Sequence, residues 1–593
     1  MDLSIENLIN RKFVNIFNKI GLDAQKASVK VSDRPDLSDF QCNGALALAK
    51  SLKKNPRDIA AQIVVELEKD PDFAKISIDG PGFINVSLKD EFIARATDKM
   101  AEGKDFGIAK VAQPHTVVLD FGGPNVAKEM HVGHLRSGAI GESIQRIERF
   151  VGNKVISDVH FGDWGTPMGM IIAEIERMAP QLPYFDEEAR KGYPENPPYT
   201  VEEVSAIYKQ ANARCKEDET ARERARIITA RLQDGHPGYR ALWKHLRDVS
   251  VAAVKANYNE LDVHFDLWLG ESDAHETCKK IVALAKDKKL LEHDEGANII
   301  RLEEGNKPMP PVILEKSDGG FTYHTTDIAT IKMRVDELKA DEIIYVVDKR
   351  QSLHFEQVFA GAEKLGIAPG VTLKHIGFGT VNGADGKPFK TRDGGVMTLS
   401  NMIRLSKDKV AESMPKPGEV PGYGAAELEK LISDVAVAAI KFQDLKNTIG
   451  AGYVFDLEDF AKFDGKTGPY IQYAIARINS ILRKAAETGI EAGEIVISNR
   501  EERDLALKLA QLSPTVWRAH SEKEPSILSE YAYTLAQAFS SFYGASSIMN
   551  APTPALASSR LKLARLVRDI LTLLLYLLGI RAPEVMLKAG GNA

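Results

Sequence analysis

Cysteine is scarce in this chain of 593 residues. There are three cysteines, Cys42, Cys215 and Cys278, and no two of them form a CxxC pair. An odd number of widely separated cysteines supplies neither a disulfide framework nor a zinc ribbon. The scarcity therefore favours a protein of a reducing compartment, whose fold depends on hydrophobic cores.

Long apolar runs and a basic excess are also missing. The most apolar stretch, residues 570–580, is about half of the roughly 20 residues that a membrane-spanning helix needs. The first residues, MDLSIENLINRKF, lack the basic and then apolar pattern of a signal peptide. The net charge of −6 argues against a protein that coats nucleic acid without specificity. A chain with this net charge can still bind one folded RNA through local basic patches. We therefore expect a cytoplasmic protein without membrane contact.

The chain is too long for one hydrophobic core, since cores stop growing near ~250–300 residues. Residues 1–108 mix helical and strand-like patterns, whereas short apolar runs alternate with helices from Thr116 onwards, as in a parallel sheet. The strand candidates of that sheet are residues 116–121, 154–161, 342–347 and 373–381. Helical spacing of apolar residues then predicts an all-α bundle, with helices in 425–448, 470–486, 499–518, 525–548 and 558–579.

The stretch PNVAKEMHVGHLRS, residues 124–137, lies where the first strand candidate leads into a helix. Ligands of open parallel sheets bind beyond the carboxyl ends of the strands, where a helix N-terminus favours phosphate. His131 and His134 can donate hydrogen bonds to phosphate oxygens. Lys128 adds positive charge, and Gly133 allows close approach. The pattern predicts a phosphate-binding turn; the alternative, a pair of metal ligands, has no clear third ligand nearby in sequence.

The HVGH motif resembles the HIGH signature of class I aminoacyl-tRNA synthetases, and the whole stretch is similar to the arginyl-tRNA synthetase version. HFGDWGTPMGMII (160–172) and DGGFTYHTTDIAT (318–330) resemble the next blocks of that family. GKPFKTRDGG (386–395) lies where the KMSKS loop is expected. TGPYIQYAIARINSIL (467–482) and LYLLGIRAPEVM (575–586) resemble the two ends of its anticodon-binding domain. The resemblance spans nearly the whole chain.

The resemblance implies a multidomain α/β protein with a Rossmann-type parallel-sheet catalytic domain, an N-terminal α/β domain and a C-terminal all-α helical bundle. The implied domains are an additional tRNA-binding domain at 1–108, the catalytic domain at 113–405 with a helical insertion about 175–260, a connecting helical region at 406–466, and the anticodon-binding domain at 467–593.

It also implies an ATP-dependent ligase that joins L-arginine to ATP, giving arginyl-adenylate and pyrophosphate, and then moves arginine to the 3′-terminal adenosine of tRNA(Arg). The family activates arginine only with tRNA present. ATP would bring Mg²⁺ with it, without a protein metal cluster, and the chain would act as a monomer. Three alternatives stay open: a different class I synthetase, another HxGH nucleotidyltransferase, and an inactive RNA-binding paralogue.

The implied catalytic groups surround the ATP phosphates. His131 and His134 would stabilise charge on the α-phosphate, and Gly133 would bind beside them. The KMSKS-like loop departs from the class pattern, because it offers Lys390 and Arg392 but has Asp393 where a second lysine is expected. Some arginyl enzymes resemble this chain here, and in them a lysine before the HIGH motif is thought to take over. The resemblance thus implies that Lys128, which occupies that position, replaces the missing charge; the alternative is a solvated loop lysine. The implied ATP-binding set is Lys128, His131, Gly133, His134 and Lys390.

A guanidinium is always charged and presents five donors, so its pocket needs carboxylates. By resemblance, Tyr323 and Asp327 hold the guanidinium, with Asp120 as a second carboxylate. Asn125 and Gln351 match positions that bind the α-amino and carboxylate end. Without the family, an Asp in such a place is more often a helix N-cap, so the role of Asp327 rests on the resemblance.

Aromatic and basic residues of the C-terminal region suit RNA contact. Tyr470 and Tyr473 near Arg477 could stack on bases and bind phosphate, although aromatic residues at this spacing are equally typical of a bundle core. The tRNA-binding candidates are Tyr470, Tyr473, Arg477, Phe542, Tyr543 and Met586.

Overall fold

The computed structural model describes residues 4–304, 307–317, 319–383, 386, 397–416, 419, 424–456, 462–588 and 591–592. The chain forms two compact units. One comprises Met1–Ala112, Ala411–Ala438 and Ala461–Ala593, and the other comprises Gln113–Val410 and Ala439–Phe460. The N-terminal and C-terminal parts of the chain thus share one unit, and the finer division into four domains stays a prediction.

The N-terminal part of the first unit is an α/β arrangement, as predicted. Its elements are α1 (Ile5–Lys19), β1 (Val29–Val31), β2 (Phe40–Cys42), α2 (Gly44–Leu52), α3 (Pro56–Leu67), β3 (Phe73–Asp79), β4 (Phe83–Leu88) and α4 (Asp90–Glu102). The strands form an antiparallel sheet in the order β1-β2-β4-β3. Helix α1 begins after Ser4, whose hydroxyl accepts a hydrogen bond from the Asn7 amide. Its apolar face, with Ile9, Phe13 and Phe17, is fully buried.

A parallel sheet forms the centre of the second unit. The elements in and around it are β5 (Thr116–Phe121), α5 (Val132–Val151), β6 (Lys154–Asp158), α6 (Thr166–Met178), α7 (Val201–Glu217), α8 (Glu219–Gln233), α9 (Pro237–Glu260), α10 (Glu271–Asp287), β7 (Glu292–Asp294), β8 (Ala297–Glu304), β9 (Lys307–Glu315), α11 (Tyr323–Asp336), β10 (Glu342–Asp348), α12 (Ser352–Lys364), β11 (Thr372–Phe378), β12 (Val381–Asn382), α13 (Leu399–Ala411) and β13 (Tyr453–Val454). Helix α14 (Ala425–Leu445) follows α13 in the chain, and its residues up to Ala438 belong to the first unit. Strands β11, β10, β5 and β6 pair in that order, all parallel, which confirms the four strand predictions. Val117, Val118 and Leu119 are fully buried, as expected of a strand covered on both faces.

The insertion between β6 and β10 is helical at α7, α8 and α9, as predicted. The first part of the insertion is not helical as predicted. After the short helical turn Pro183–Phe185, residues 186–200 form no helix. Pro194, Pro197 and Pro198 explain this, because proline has no amide to donate and restricts the residue before it. The antiparallel sheet of β7, β8 and β9 was not predicted.

A fully buried arginine joins α5 to later parts of the second unit. The Nη1 of Arg136 donates to the carbonyl oxygens of Gly379 at 2.8 Å and Ala451 at 2.9 Å. Its Nε lies 3.1 Å from Asp444 Oδ2, and the Tyr453 hydroxyl donates to the same carboxylate at 3.0 Å. The side chains of Arg136 and Asp444 are 1% and 0% exposed. One planar guanidinium therefore satisfies acceptors from segments 243 to 315 residues away in sequence.

The C-terminal part of the first unit is a helical bundle, which confirms the predicted fold class. Its elements are α15 (Gly468–Glu487), α16 (Arg500–Leu509), α17 (Leu512–Glu522), α18 (Ser526–Ala545) and α19 (Pro554–Leu577), followed by β14 (Leu587–Lys588) and β15 (Gly591–Asn592). The single helix predicted for 499–518 is wrong: it breaks at Ala510–Gln511, because Pro514 cannot donate to the Ala510 carbonyl. Among the described residues, no helix has the length and apolar character needed to cross a membrane.

One arginine of the bundle holds the N-terminal sheet within the first unit. Arg503 on α16 makes two hydrogen bonds to the Asp39 carboxylate, at 2.9 and 2.7 Å, and one to Asp90 at 2.9 Å. It also donates to the Leu88 carbonyl at the end of β4. The Asp39 side chain is only 8% exposed, so this bidentate pair is shielded from solvent.

Replacing Arg503 by alanine should loosen the N-terminal sheet from the bundle, because the Asp39 carboxylate loses its cation. Loss of hydrogen bonds to a charged group should lower the free energy of unfolding by about 2 kcal/mol. Hydrogen exchange of the full chain, read by mass spectrometry, should become faster in β4 and α16. Arg500→Ala is the control, since Arg500 and Asp504 share one helix and are largely exposed. Identical exchange in the two variants would contradict this role of Arg503.

Candidate active site

The candidate residues gather beyond the carboxyl ends of the parallel strands. Strand β5 ends at Phe121, and the following loop and α5 carry Asn125, Lys128, His131, Gly133 and His134. Strand β10 ends at Asp348 and is followed by Gln351. This edge is where open parallel sheets bind their ligands.

Two imidazoles at the start of α5 are bound to its backbone. His131 is the N-cap residue, and its Nδ1 accepts a hydrogen bond from the Gly133 amide at 3.0 Å. His134 Nδ1 accepts one from the His131 amide, also at 3.0 Å. The two rings stack with their centroids 4.1 Å apart. The imidazoles thus satisfy two backbone amides that a helix start would otherwise leave unpaired.

Both imidazoles are neutral near pH 7. Burial, followed by the nearness of His131 and Lys128, lowers the pKa of His134 to about 3. Burial, followed by the positive charges of Arg350 and Lys128, also lowers the pKa of His131. Because each Nδ1 accepts a hydrogen bond from an amide, each ring proton lies on Nε2. The pair therefore offers two neutral N–H donors at the N-terminus of a helix.

Gly133 leaves room for this arrangement. A Cβ atom at position 133 would lie 2.8 Å from Cε1 and 3.0 Å from Nδ1 of His131. Any side chain there would displace the ring that the Gly133 amide holds. The glycine is therefore required by the imidazole beside it.

One of the three predicted cations, Lys128, lies within the described residues. Lys128 is exposed in the loop before α5, and its Nζ lies 5.1 Å from the centroid of the Tyr208 ring on α7. Lys390 and Arg392 lie outside the described residues.

Two predicted arginine-binding residues lie on α11. Tyr323 begins this helix and is 61% exposed, and Asp327 is one turn further along. The helical spacing predicted for them is confirmed. Thr322 occupies the N-cap position, so Asp327 is not a cap. Its Oδ2 lies 2.5 Å from Nε2 of His354.

The other predicted arginine-binding residues lie on two loops. Asn125 is exposed in the loop after β5, where its backbone bridges to Gly162. Gln351 is exposed at the end of the short helical turn Lys349–Gln351 after β10.

Asp120, the predicted second carboxylate for the guanidinium, contacts a cation of the chain itself. Its side chain is 11% exposed, and its Oδ2 accepts a hydrogen bond from Arg334 at 2.6 Å. Arg334 also donates to Asp158 at the end of β6, at 3.0 Å. Burial alone would raise the pKa of Asp158, but the nearby His160 and Arg334 hold that pKa below its usual range. The two strand-end carboxylates thus contact a guanidinium of the chain itself, and a role of Asp120 in arginine binding stays a prediction.

Glu271 is a carboxylate that the sequence analysis missed. It begins α10, and its amide donates to the Phe161 carbonyl at 2.9 Å. Burial raises its pKa to about 7; nearby His160 opposes the shift, whereas Asp163 and Asp327 add to it. A partly buried carboxylate with this pKa, beside other acids, suits a cationic ligand. Its only sequence signal is an acidic residue at a helix start, which is too common to indicate a site.

The tRNA-binding candidates of the bundle fall into two groups. The guanidinium of Arg477 lies 4.9 Å from the Tyr543 ring centroid. The ring centroids of Tyr470 and Tyr533 are 5.6 Å apart. Tyr470, Tyr473 and Tyr543 are partly exposed. Phe542 and Met586 are 0% and 1% exposed. Direct RNA contact is therefore corrected to core packing for these two residues.

The geometry of the second unit combines a phosphate-binding turn with an acidic region for a cation. The neutral imidazoles and the start of α5 supply donors for phosphate oxygens. Asp327 and Glu271 supply acceptors for a cationic side chain. Within the described ranges, no group of three or more His, Cys, Asp or Glu side chains could hold a metal ion.

Known proteins are similar to this chain over nearly its whole length. The family described as "tRNA synthetases class I (R), catalytic domain" matches residues 97–457, the "DALR anticodon binding domain" matches 471–586, and the "Arginyl tRNA synthetase N terminal domain" matches 4–88. An arginine–tRNA ligase of Alkaliphilus oremlandii is 46% identical, covering 96% of this chain and 98% of that protein. One of Francisella tularensis subsp. holarctica is 44% identical, covering 98% and 100%.

Solved structures agree with the sequence matches. The crystal structure of arginyl-tRNA synthetase from Plasmodium falciparum superposes with a TM-score of 0.79 at 26% identity, covering 98% of this chain and 99% of that one. With matches to the catalytic, N-terminal and anticodon-binding regions, the chain belongs to the arginyl-tRNA synthetase family of class I tRNA synthetases.

Proposed function

We propose that this chain is an ATP-dependent arginine–tRNA ligase. A carboxylate oxygen of L-arginine attacks the α-phosphorus of ATP, the bond to pyrophosphate breaks, and arginyl-adenylate forms. The 3′-terminal adenosine of tRNA(Arg) then takes the arginyl group and AMP leaves. The observation that carries the proposal is the pair of neutral imidazoles at the start of α5, in the same unit as the acids Asp327 and Glu271.

His131 and His134 act by donating Nε2–H hydrogen bonds to phosphoryl oxygens whose charge grows as the new bond forms. Such donors contribute most when the backbone already holds them in place, because no reorganisation is then needed in the reaction. Mg²⁺ would arrive with ATP, whose phosphates coordinate it.

Asp327 and Glu271 provide the negative charge for the guanidinium, with the Tyr323 hydroxyl beside them. Electrostatic coupling between Glu271 and both Asp327 and Tyr323 supports one shared pocket. Asn125 and Gln351 bind the α-amino and carboxylate end. A pocket that hydrogen-bonds a substrate group rejects analogues without it by roughly 10⁴–10⁵, which is enough to exclude lysine and ornithine without editing.

The helical bundle binds tRNA through Tyr470, Tyr473, Arg477 and Tyr543. The partly exposed rings can stack on unpaired bases, and the exposed Arg477 can bind phosphate. The chain works as a monomer in the cytoplasm, and arginine activation depends on bound tRNA.

The function is tested by aminoacylation of unfractionated tRNA with each amino acid in turn. Arginine alone should be attached. ATP–pyrophosphate exchange should depend on arginine and should be fast only when tRNA is added. Attachment of another amino acid would contradict the proposed substrate, and no attachment at all would favour an inactive paralogue.

Lys128→Ala should slow arginine activation, because Lys128 replaces the second lysine absent from the KMSKS-like loop. We expect the rate of pyrophosphate exchange, measured with tRNA present, to fall roughly 10²–10³-fold. Lys209→Ala is the matched control, since Lys209 is an exposed lysine whose ion pair is with the exposed Glu129. A Lys128→Ala rate equal to that of the control would show that Lys128 is a solvated loop residue.

Arginine binding should weaken as the pH falls from 8 to 6, because Glu271 becomes protonated below its pKa of about 7. Only the ionised carboxylate attracts the guanidinium, so the Kd from calorimetry should rise up to about tenfold. His160, near Glu271, has a pKa raised to about 9 by its acidic neighbours despite burial, so its charge stays constant over this range. Glu271→Gln should bind weakly at both pH values. A steep pH dependence retained in that variant would contradict the assignment.

A further inference from the structure

One hydrogen bond beside the guanidinium pocket plays no part in the chemistry described above. The His354 ring places Nε2 at 2.5 Å from Asp327 Oδ2. The two side chains are 23% and 22% exposed, so solvent competes only partly for this contact. A carboxylate that binds a substrate has two oxygens, and here one of them already has a partner from the protein.

Aromatic packing fixes the ring that makes this contact. The His354 ring meets the Phe355 ring edge-on, with the centroids 5.3 Å apart, and lies 4.8 Å from the His324 ring. Phe355 is itself 5% exposed and stacks on His375 at 4.7 Å. A ring packed in this way points its Nε2 in one direction.

The hydrogen bond also joins the two elements that carry opposite ends of the arginine site. Asp327 and Tyr323 lie on α11, whereas Gln351 ends the turn that leads directly into α12, the helix of His354. The contact therefore fixes the distance between two parts of the site. One part is Asp327 and Tyr323, for the guanidinium, and the other is Gln351, for the α-amino and carboxylate end.

We propose that His354 is a positioning residue for arginine recognition: it holds one oxygen of the Asp327 carboxylate, so that the other faces the guanidinium. The proposal rests on the role of Asp327 in the proposed function. His354 donates to Asp327 and acts only through it. Replacing His354 must therefore change arginine affinity. The change must vanish in a variant whose residue 327 is no longer a carboxylate.

The test is a double-mutant cycle on the full chain, read as arginine KM, ATP KM and kcat in aminoacylation. Asp327→Asn should raise the arginine KM by about 100-fold or more, since the charge for the guanidinium is lost. His354→Leu should raise it roughly 10–100-fold, with ATP KM and kcat close to the wild-type values. In the Asp327→Asn background, His354→Leu should cause no further rise.

Two further variants separate positioning from packing. His354→Gln should keep the arginine KM near the wild-type value, because its amide nitrogen can reach the place of Nε2 and donate the same bond. His293→Gln is the matched control, since this histidine is exposed on β7 and its Nδ1 lies 3.4 Å from Asn298 Oδ1. It should leave the arginine KM unchanged.

The outcomes distinguish this inference from the proposed function. An unchanged KM in Asp327→Asn would overturn the guanidinium pocket itself. A raised KM in Asp327→Asn with an unchanged one in His354→Leu would overturn the positioning role alone. An equal effect of His354→Leu in both backgrounds, or a loss of kcat without a change in arginine KM, would also overturn it.

Discussion

The hydrogen bonds from the amides of His131 and Gly133 to the two imidazoles are the constraint on which the active site depends. They fix each Nδ1 as an acceptor, so each neutral ring can give its proton only from Nε2. They also place both donors at the start of α5, where the helix dipole favours a phosphate. A protonated imidazole could not accept these bonds, so the low pKa of His134 and the local fold support each other.

The site then separates two kinds of charge recognition. In the proposed function, phosphate would contact neutral donors and a helix terminus, which attract an anion without a buried cation. The amino acid would contact carboxylates, and the carboxylates near the proposed pocket are of two kinds. Asp120 and Asp158 contact Arg334 directly, whereas Glu271 lies near His160 and other acids, and its pKa is raised to about 7, chiefly by burial. An acid that no arginine of the described chain contacts directly can accept a substrate cation.

The sequence predicted the elements whose signal is local. Four apolar runs became the parallel sheet, and the turn with His131 and His134 lies at its carboxyl edge. The contact of Asp120 with Arg334 could not be predicted, because the two residues are 214 positions apart and no local pattern indicates such a contact. Glu271 carried no motif, since its significance comes from burial beside Asp163 and Asp327. The break before Pro514 was overlooked because apolar spacing alone does not register a missing amide donor.

Arg136 lies two residues beyond His134, and its acceptors include carbonyls at Gly379 and Ala451. During synthesis the ribosome delivers α5 long before it delivers those partners, since Ala451 follows 315 residues later. Until then the nascent helix carries an unsatisfied guanidinium that must stay hydrated. The catalytic turn can therefore reach its final packing only after most of the polypeptide has emerged, and a prematurely terminated chain would not assemble it.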